Sequence, residues 1–234
     1  MRILQYIQYH EEDKIMSLSQ IIDPDIHALP LSDTGNSALE LMEEAGLTQL
    51  PVVNNEEYVG MAQENDILDW EHPEQQLSQA QPISYRPVIG MLAHPFEAMR
   101  LMNEMNLGVL PVTDSEHKYI GCVSRHTMLR YMAERSGLSN PGGILVLEIA
   151  PRDYTLYEIA RICENEDTIV LNMQVFTNDQ GMLEVTLKLN RTSLDAVVSS
   201  FERHNYRVKE VYGEQVHAGD IADKYYQLMN YLNM

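Results

Sequence analysis

The sequence predicts an α+β protein: one unit of extended stretch, helix, strand, strand and helix built twice over, then a smaller module of order βαββαβ. Three observations carry this. A segment of the first half recurs 60 residues later, a cluster rich in Gly and Pro interrupts the chain at 137–143, and beyond it apolar residues alternate between periods of two and of three to four. The 234 residues, 44% of them hydrophobic, suffice for two small domains that each bury a core.

The repeat is read first. Ala38, Leu41, Met42, Leu47, Leu50, Pro51 and Val52 are matched 60 residues on by Ala98, Leu101, Met102, Leu107, Leu110, Pro111 and Val112. One residue enters the following turn, and from there Val59, Gly60, Ile67 and Leu68 match Ile120, Gly121, Met128 and Leu129 at an offset of 61. Ala38, Leu41, Met42 and Ala45 are spaced as one apolar helix face, and Gly46 is placed as a left-handed C-cap with Asn106 as its counterpart. Strands are expected at 50–53 and 58–62, and again at 109–113 and 119–124, each pair joined by a polar turn. Short helices at 64–69 and 125–132 close the units, and extended stretches at 25–31 and 85–91 open them. Met42, Met99, Met102 and Met105 are expected to pack in the core.

The predicted boundaries are a leader at 1–16, a first unit at 17–75, a second at 76–136, a linker at 137–143, the βαββαβ module at 144–213 and an amphipathic helix at 214–234. In the module, 144–149 is an apolar strand. Thr155 and Glu158 have the spacing of a capping box before a helix whose face is Ile159, Ile162 and Cys163. Strands follow at 168–176 and 182–189, the second with Leu183, Val185, Leu187 and Leu189 on one face. A helix with Leu194, Val197, Val198 and Phe201 inward, and a strand at 206–212, complete a ferredoxin-like order. Ile221, Tyr225, Leu228 and Leu232 form the seam of the last helix.

Composition excludes several functions. A net charge of −19 is the wrong sign for a nucleic-acid binder. No run approaches the roughly 18 apolar residues of a membrane span, and no secretory signal is visible. Cys122 and Cys163 lie far apart, which fits a reducing, cytoplasmic setting. Phosphate-loop, metalloprotease, nucleophile-elbow and dinucleotide-binding motifs are all missing, so a non-enzyme is expected. Neither His nor Cys spacing suggests zinc, and His94, before Pro95, reads as a helix start. The charge is uneven: 15–85 hold 13 acids and no Lys or Arg, whereas 86–135 hold six basic residues and five acids. An anion would be better hosted by the second stretch.

The helix bearing Ala38, Leu41 and Met42, the Leu-Pro-Val strand and the glycine step into the last helix resemble a pair of CBS domains over residues 17–135. The resemblance implies two clefts for an adenine nucleotide such as AMP, ADP or ATP, each formed by a leading stretch, a Leu-Pro strand and a Gly-x-x-Ser/Thr-x-x-Asp step. It implies Ile26, His27, Pro51 and Asp66 for the first cleft, where Gln63 replaces the hydroxyl. For the second it implies Arg86, Pro87, Val88, Leu110, Pro111, Ser124, Arg125 and Thr127, where Thr127 replaces the ribose-binding Asp. Plainer readings stand beside these: Ser124 as a helix N-cap, Arg125 as a surface charge, Asp66 as an acid at a helix start.

The βαββαβ module resembles an ACT domain, although its first turn, at 150–154, lacks the usual glycine and carries Tyr154; dimerisation is the other role. The whole order is similar to acetoin-utilisation B-type proteins. The expectation is a homodimeric sensor of a small ligand. The alternatives are an interaction scaffold for a protein partner, its clefts degenerate, and a divalent-metal sensor using the acidic first unit.

Overall fold

A computed structural model of the protein describes residues 17–79, 83 and 85–213. The expected leader at 1–16 and the helix at 214–234 lie outside these residues. Contacts divide the chain into two compact units that meet between Tyr131 and Met132.

In the first unit, β1 (Leu29–Pro30), β2 (Gln49–Asn54) and β3 (Glu57–Gln63) form a three-stranded sheet flanked by α1 (Gly35–Ala45) and α2 (Glu64–Leu68). The repeat reproduces it with β4 (Ile89–Gly90), α3 (Pro95–Glu104), β5 (Val109–Thr113), β6 (Tyr119–Ser124) and α4 (Arg125–Arg135). In each sheet a parallel pair (β1–β2, β4–β5) adjoins an antiparallel hairpin (β2–β3, β5–β6). Gly46 at φ 63° and Asn106 at φ 51° both take the left-handed conformation expected after their helices. The single-residue difference between repeats lies in the hairpin turns, where Asn55 and His117 adopt positive φ.

The buried face of α1 is rotated from the expected one. Gly35, Ala38 and Met42 are buried and Leu39 packs against the core, whereas Leu41 is exposed, as is Ala45. The face has the right spacing but starts three residues earlier, at a glycine whose missing side chain lets the Pro73 carbonyl approach. Met42 and Met102 are core residues, Met99 is half-buried, and Met105, at the C-cap of α3, is exposed. His94 is the N-cap of α3, its Nδ1 accepting from the Phe96 N–H at 3.1 Å, with Pro95 at the first helical position.

What the repeat alone does not reveal is how the leading segments run. Each docks on the other repeat. The Leu18 N–H donates to Met91 O and the Asp23 N–H to Cys122 O, so the first leader lies along β6. Reciprocally, the Ser78 N–H donates to Leu31 O, and Tyr85 O accepts from the Met61 N–H of β3. The matched glycines make room for this: a Cβ on Gly60 would stand 2.5 Å from Ile83 and 3.0 Å from two backbone carbonyls, and one on Gly121 would stand 2.6 Å from Ile22. Between the sheets, Met61, Val109 and Cys122 form a shared apolar centre with Ile26, Leu47, Tyr58 and Tyr85 around it. Burial there pushes the Cys122 thiol up to about 12, so it carries no reactive thiolate at neutral pH.

The second unit contains β7 (Ile144–Ile149), α5 (Leu156–Asn165), β8 (Val170–Thr177), β9 (Leu183–Leu189), α6 (Asp195–Arg203) and β10 (Arg207–Tyr212), its sheet antiparallel in the order β10-β7-β9-β8. The alternation of β9 holds, and Leu145, Leu147, Val185, Leu187, Ile159, Ile162 and Phe201 fill the core between sheet and helices. The capping box does not form: Thr155 makes no side-chain cap bond, and Glu158 instead binds Arg161 in two hydrogen bonds of 2.6 and 3.2 Å. On the other face Glu148 and Glu184 stand directly opposite, each neutralised by a base from β10, Arg207 and Lys209 respectively. No helix of the described residues is long and apolar enough to cross a membrane.

The close approach of the leaders yields a first prediction. Gly60→Ala forces the second leader off β3 and is expected to destabilise the protein by about 1–3 kcal/mol, read as a lower urea midpoint. An unchanged midpoint would mean the leader does not need that approach.

Candidate functional site

Because the leaders are exchanged, the walls of a cleft come from both repeats. A cleft of about 680 Å3 is lined on one side by Asp23, Asp25 and Ile26 of the first leader and by Glu44 to Thr48 at the end of α1. Its other side is Gly108 with Ser124, Arg125 and His126, where β6 turns into α4. Ile26, expected in one cleft, therefore meets Ser124 and Arg125, expected in the other.

At the floor is a buried polar cluster. The Thr127 N–H donates to Ser124 Oγ at 3.0 Å and the Ser124 N–H donates to Thr127 Oγ1 at 2.9 Å, a reciprocal cap on α4. The Ser124 hydroxyl donates to Asp23 Oδ2 at 2.5 Å. Asp23 Oδ1 accepts from the Asp25 N–H at 3.2 Å. Asp23, Ser124 and Thr127 retain only 8%, 4% and 2% of their exposure. A carboxylate is buried here because hydrogen bonds replace its water. Two of its roughly four acceptor sites are used, which leaves capacity toward the cleft.

Arg125 is exposed and tied down. Its Nε donates to Leu107 O at 2.8 Å and its Nη2 to Asn106 Oδ1 at 2.7 Å, which fastens α4 to the loop after α3. Three guanidinium N–H groups remain for a ligand.

The other expected residues are placed elsewhere. Arg86, Pro87 and Val88 follow the second leader toward the first repeat, where the Tyr58 hydroxyl donates to Pro87 O at 2.9 Å; Arg86 is exposed. They do not join Ser124, because the leader carrying them lies along β3 rather than β6. Leu110, Pro111 and Pro51 are buried within β5 and β2 and do not line the cleft. His27 is exposed beyond it. Asp66, exposed on α2, accepts from Gln63 Nε2 at 3.2 Å, a helix-start contact.

Asp23 is the functional candidate that motif reading missed. The repeat does not single it out: the residue that answers Ile83, which meets Gly60, is Ile22, which meets the matched Gly121, and Asp23 follows it in the chain. Position 127 holds Thr, and an acid reaches the same cap from the first leader, Asp23 on the Ser124 hydroxyl. Among the described residues no group of three or more His, Cys, Asp or Glu could hold a metal ion, so the structure offers the metal-sensing alternative no site there.

The cap predicts a specific energetic effect. Ser124→Ala leaves the Thr127 N–H uncapped and the buried Asp23 carboxylate without its hydroxyl, at an expected cost of about 1–3 kcal/mol in urea unfolding. Asp66→Asn, at the matched exposed position, is expected to change stability by less than about 0.5 kcal/mol. Equal effects would refute the buried cluster.

The family model described as CBS domain matches residues 18–72 and 87–134. Inosine-5'-monophosphate dehydrogenase of Methanocaldococcus jannaschii is 22% identical over 222 residues, covering 91% of this chain; the chain spans only 42% of that protein. A CBS domain pair/ACT domain protein from Thermotoga maritima is 22% identical, covering 51% of this chain and 98% of the other, with a TM-score of 0.44. The CBS-pair protein CBSX2 of Arabidopsis thaliana is 25% identical, covering 50% and 94%, also with a TM-score of 0.44. CBSX2 has also been solved in complex with AMP; that structure covers 50% of this chain and 96% of its own, at 25% identity and a TM-score of 0.43.

Proposed function

We propose that this chain, whose residues 18–72 and 87–134 match the family model described as CBS domain, is a non-catalytic sensor that binds an adenine nucleotide between its two repeats. The single observation that carries the reading is the cleft bounded by the first leader and the start of α4, which holds hydroxyl-accepting carboxylates and a guanidinium within one volume of about 680 Å3. That volume suits a small ligand. Asp23 and Asp25 can accept the vicinal hydroxyls of a ribose, Ile26 and Leu47 supply apolar surface for a base, and Arg125 has donors to spare.

A ligand here touches both repeats at once, so binding favours whichever arrangement of the pair closes the cleft. The floor of the cleft is the first turn of α4, and that helix runs to Arg135, past the division between the two compact units. We read the second unit as a ferredoxin-like, ACT-type module that serves dimerisation. Its βαββαβ order and the strand order β10-β7-β9-β8 support this. The sensor is read as a homodimer whose subunit arrangement responds to the ligand.

The scaffold alternative has an observation of its own: both polar side chains of the cap, Ser124 and Thr127, are already engaged within the protein. Thermal unfolding with AMP, ADP and ATP, paired with light scattering, separates the two readings. A sensor gains about 2.7 kcal/mol, a few degrees, at roughly a hundred times the dissociation constant, and scatters as a dimer rather than a 26.8 kDa monomer. A dimer whose melting ignores all three nucleotides would be the scaffold.

A further inference from the structure

We infer that Asp23 sets the charge of the ligand: its carboxylate occupies the anion position at the start of α4, so the cleft takes an adenine nucleoside with little or no phosphate and discriminates against a triphosphate. This rests on the reading of the cleft as an adenine-ligand site.

A helix start that begins with a hydroxyl and an arginine ordinarily suits a phosphate, because free N–H groups, the hydroxyl and the guanidinium all present donors. Here the donors of the cap are committed, and Arg125 keeps three of its five. The Ser124 hydroxyl gives its only proton to Asp23 Oδ2, and Ser124 Oγ in turn accepts from the Thr127 N–H. Thr127 Oγ1 donates to Ser124 O at 3.1 Å, so its proton is used as well. Two of the Arg125 donors are taken by Leu107 O and Asn106 Oδ1. The position a phosphate would take is held by a carboxylate that belongs to the protein.

The wider lining agrees. Asp23, Asp25 and Glu44 face the cleft, against Arg125 and His126. Each phosphate added to a ligand therefore meets carboxylates at close range, in a site partly screened from water, where like charges repel more strongly than in bulk. Ribose hydroxyls meet the opposite situation, since a carboxylate with unused acceptor sites rewards donors. The comparison within the chain isolates the responsible residue. In the first repeat the helix-start acid, Asp66, is exposed and belongs to its own helix. Among the described residues, the start of α4 is where an acid reaches the cap from a different repeat.

The test is calorimetric titration of the full chain with adenosine, AMP, ADP and ATP at about 0.05 M salt without magnesium, where surface charge is little screened. The expected result is an affinity that falls as phosphates are added, with ATP at least about tenfold weaker than adenosine or AMP (tenfold being ~1.4 kcal/mol). Asp23→Asn keeps the acceptor for the Ser124 hydroxyl and removes the charge. It is expected to raise the affinity for ATP relative to adenosine by about tenfold. ATP binding tightest to the unaltered protein overturns the inference while the adenine-site reading stands, and so does an unchanged ATP-to-adenosine ratio in Asp23→Asn. Failure of all four compounds to bind overturns the adenine-site reading and the inference with it. If Asp23→Asn does not fold, the order of the four affinities in the unaltered chain decides.

Discussion

The reciprocal docking of the two leaders is the constraint on which the N-terminal unit depends. Each sheet of three strands ends in a hairpin strand, β3 or β6, whose outer edge would be an unpaired row of backbone groups. Each edge is instead covered by the leader of the opposite repeat, through the Asp23–Cys122 and Met61–Tyr85 backbone bonds. The edge-covering segment therefore never lies on the sheet of the repeat it opens, and neither repeat is complete without the other. Two glycines at matched positions are required because a backbone lies where a side chain would stand. The two hairpin tips also meet: the Tyr119 N–H donates to Glu56 O, and Lys118 pairs with Glu56 at 3.0 Å.

From this exchange follows the chemical character of the cleft. The 15–85 stretch holds all its charge as acid, and the exchange carries two of those acids, Asp23 and Asp25, across to the second repeat. A cleft that was expected to be the more basic of the two thereby receives carboxylates from the more acidic half. The charge of a site is set by which segments meet there, and a composition window sees only which segments are adjacent in the chain. Burial of Asp23 is sustained by the Ser124 hydroxyl and the Asp25 N–H, and these same bonds stiffen the first turn of α4.

Most of the secondary structure was legible because both periodicities were clean. The left-handed caps at Gly46 and Asn106, the hairpins, the alternation of β9 and the inward face of α6 all express local preferences that tertiary packing reinforces. Local signals misled where a tertiary partner competed. Glu158 had the spacing to cap its own helix, but Arg161 one turn on takes both its oxygens. Leu41 had the spacing of a core residue, but the glycine at the start of α1 turns that helix so that Leu39 faces inward instead.

The site was legible in its parts and illegible in its assembly. A repeat aligns each leader with its own helix step, and an exchanged and an unexchanged arrangement produce the same alignment. Nothing in the offset of 60 distinguishes them, so Ile26 was grouped with Asp66 and Arg86 with Ser124. What does distinguish them is the break in symmetry between copies. A threonine at 127 against Asp66 is such a break, and the acid at 23 looks unrelated to it in sequence. In space the two residues meet at one cap. The carboxylate reaches it from the leader of the other repeat, with Ser124 between them. An acid buried at such a cap needs a donor and a buried hydroxyl an acceptor, and here Asp23 and Ser124 answer each other.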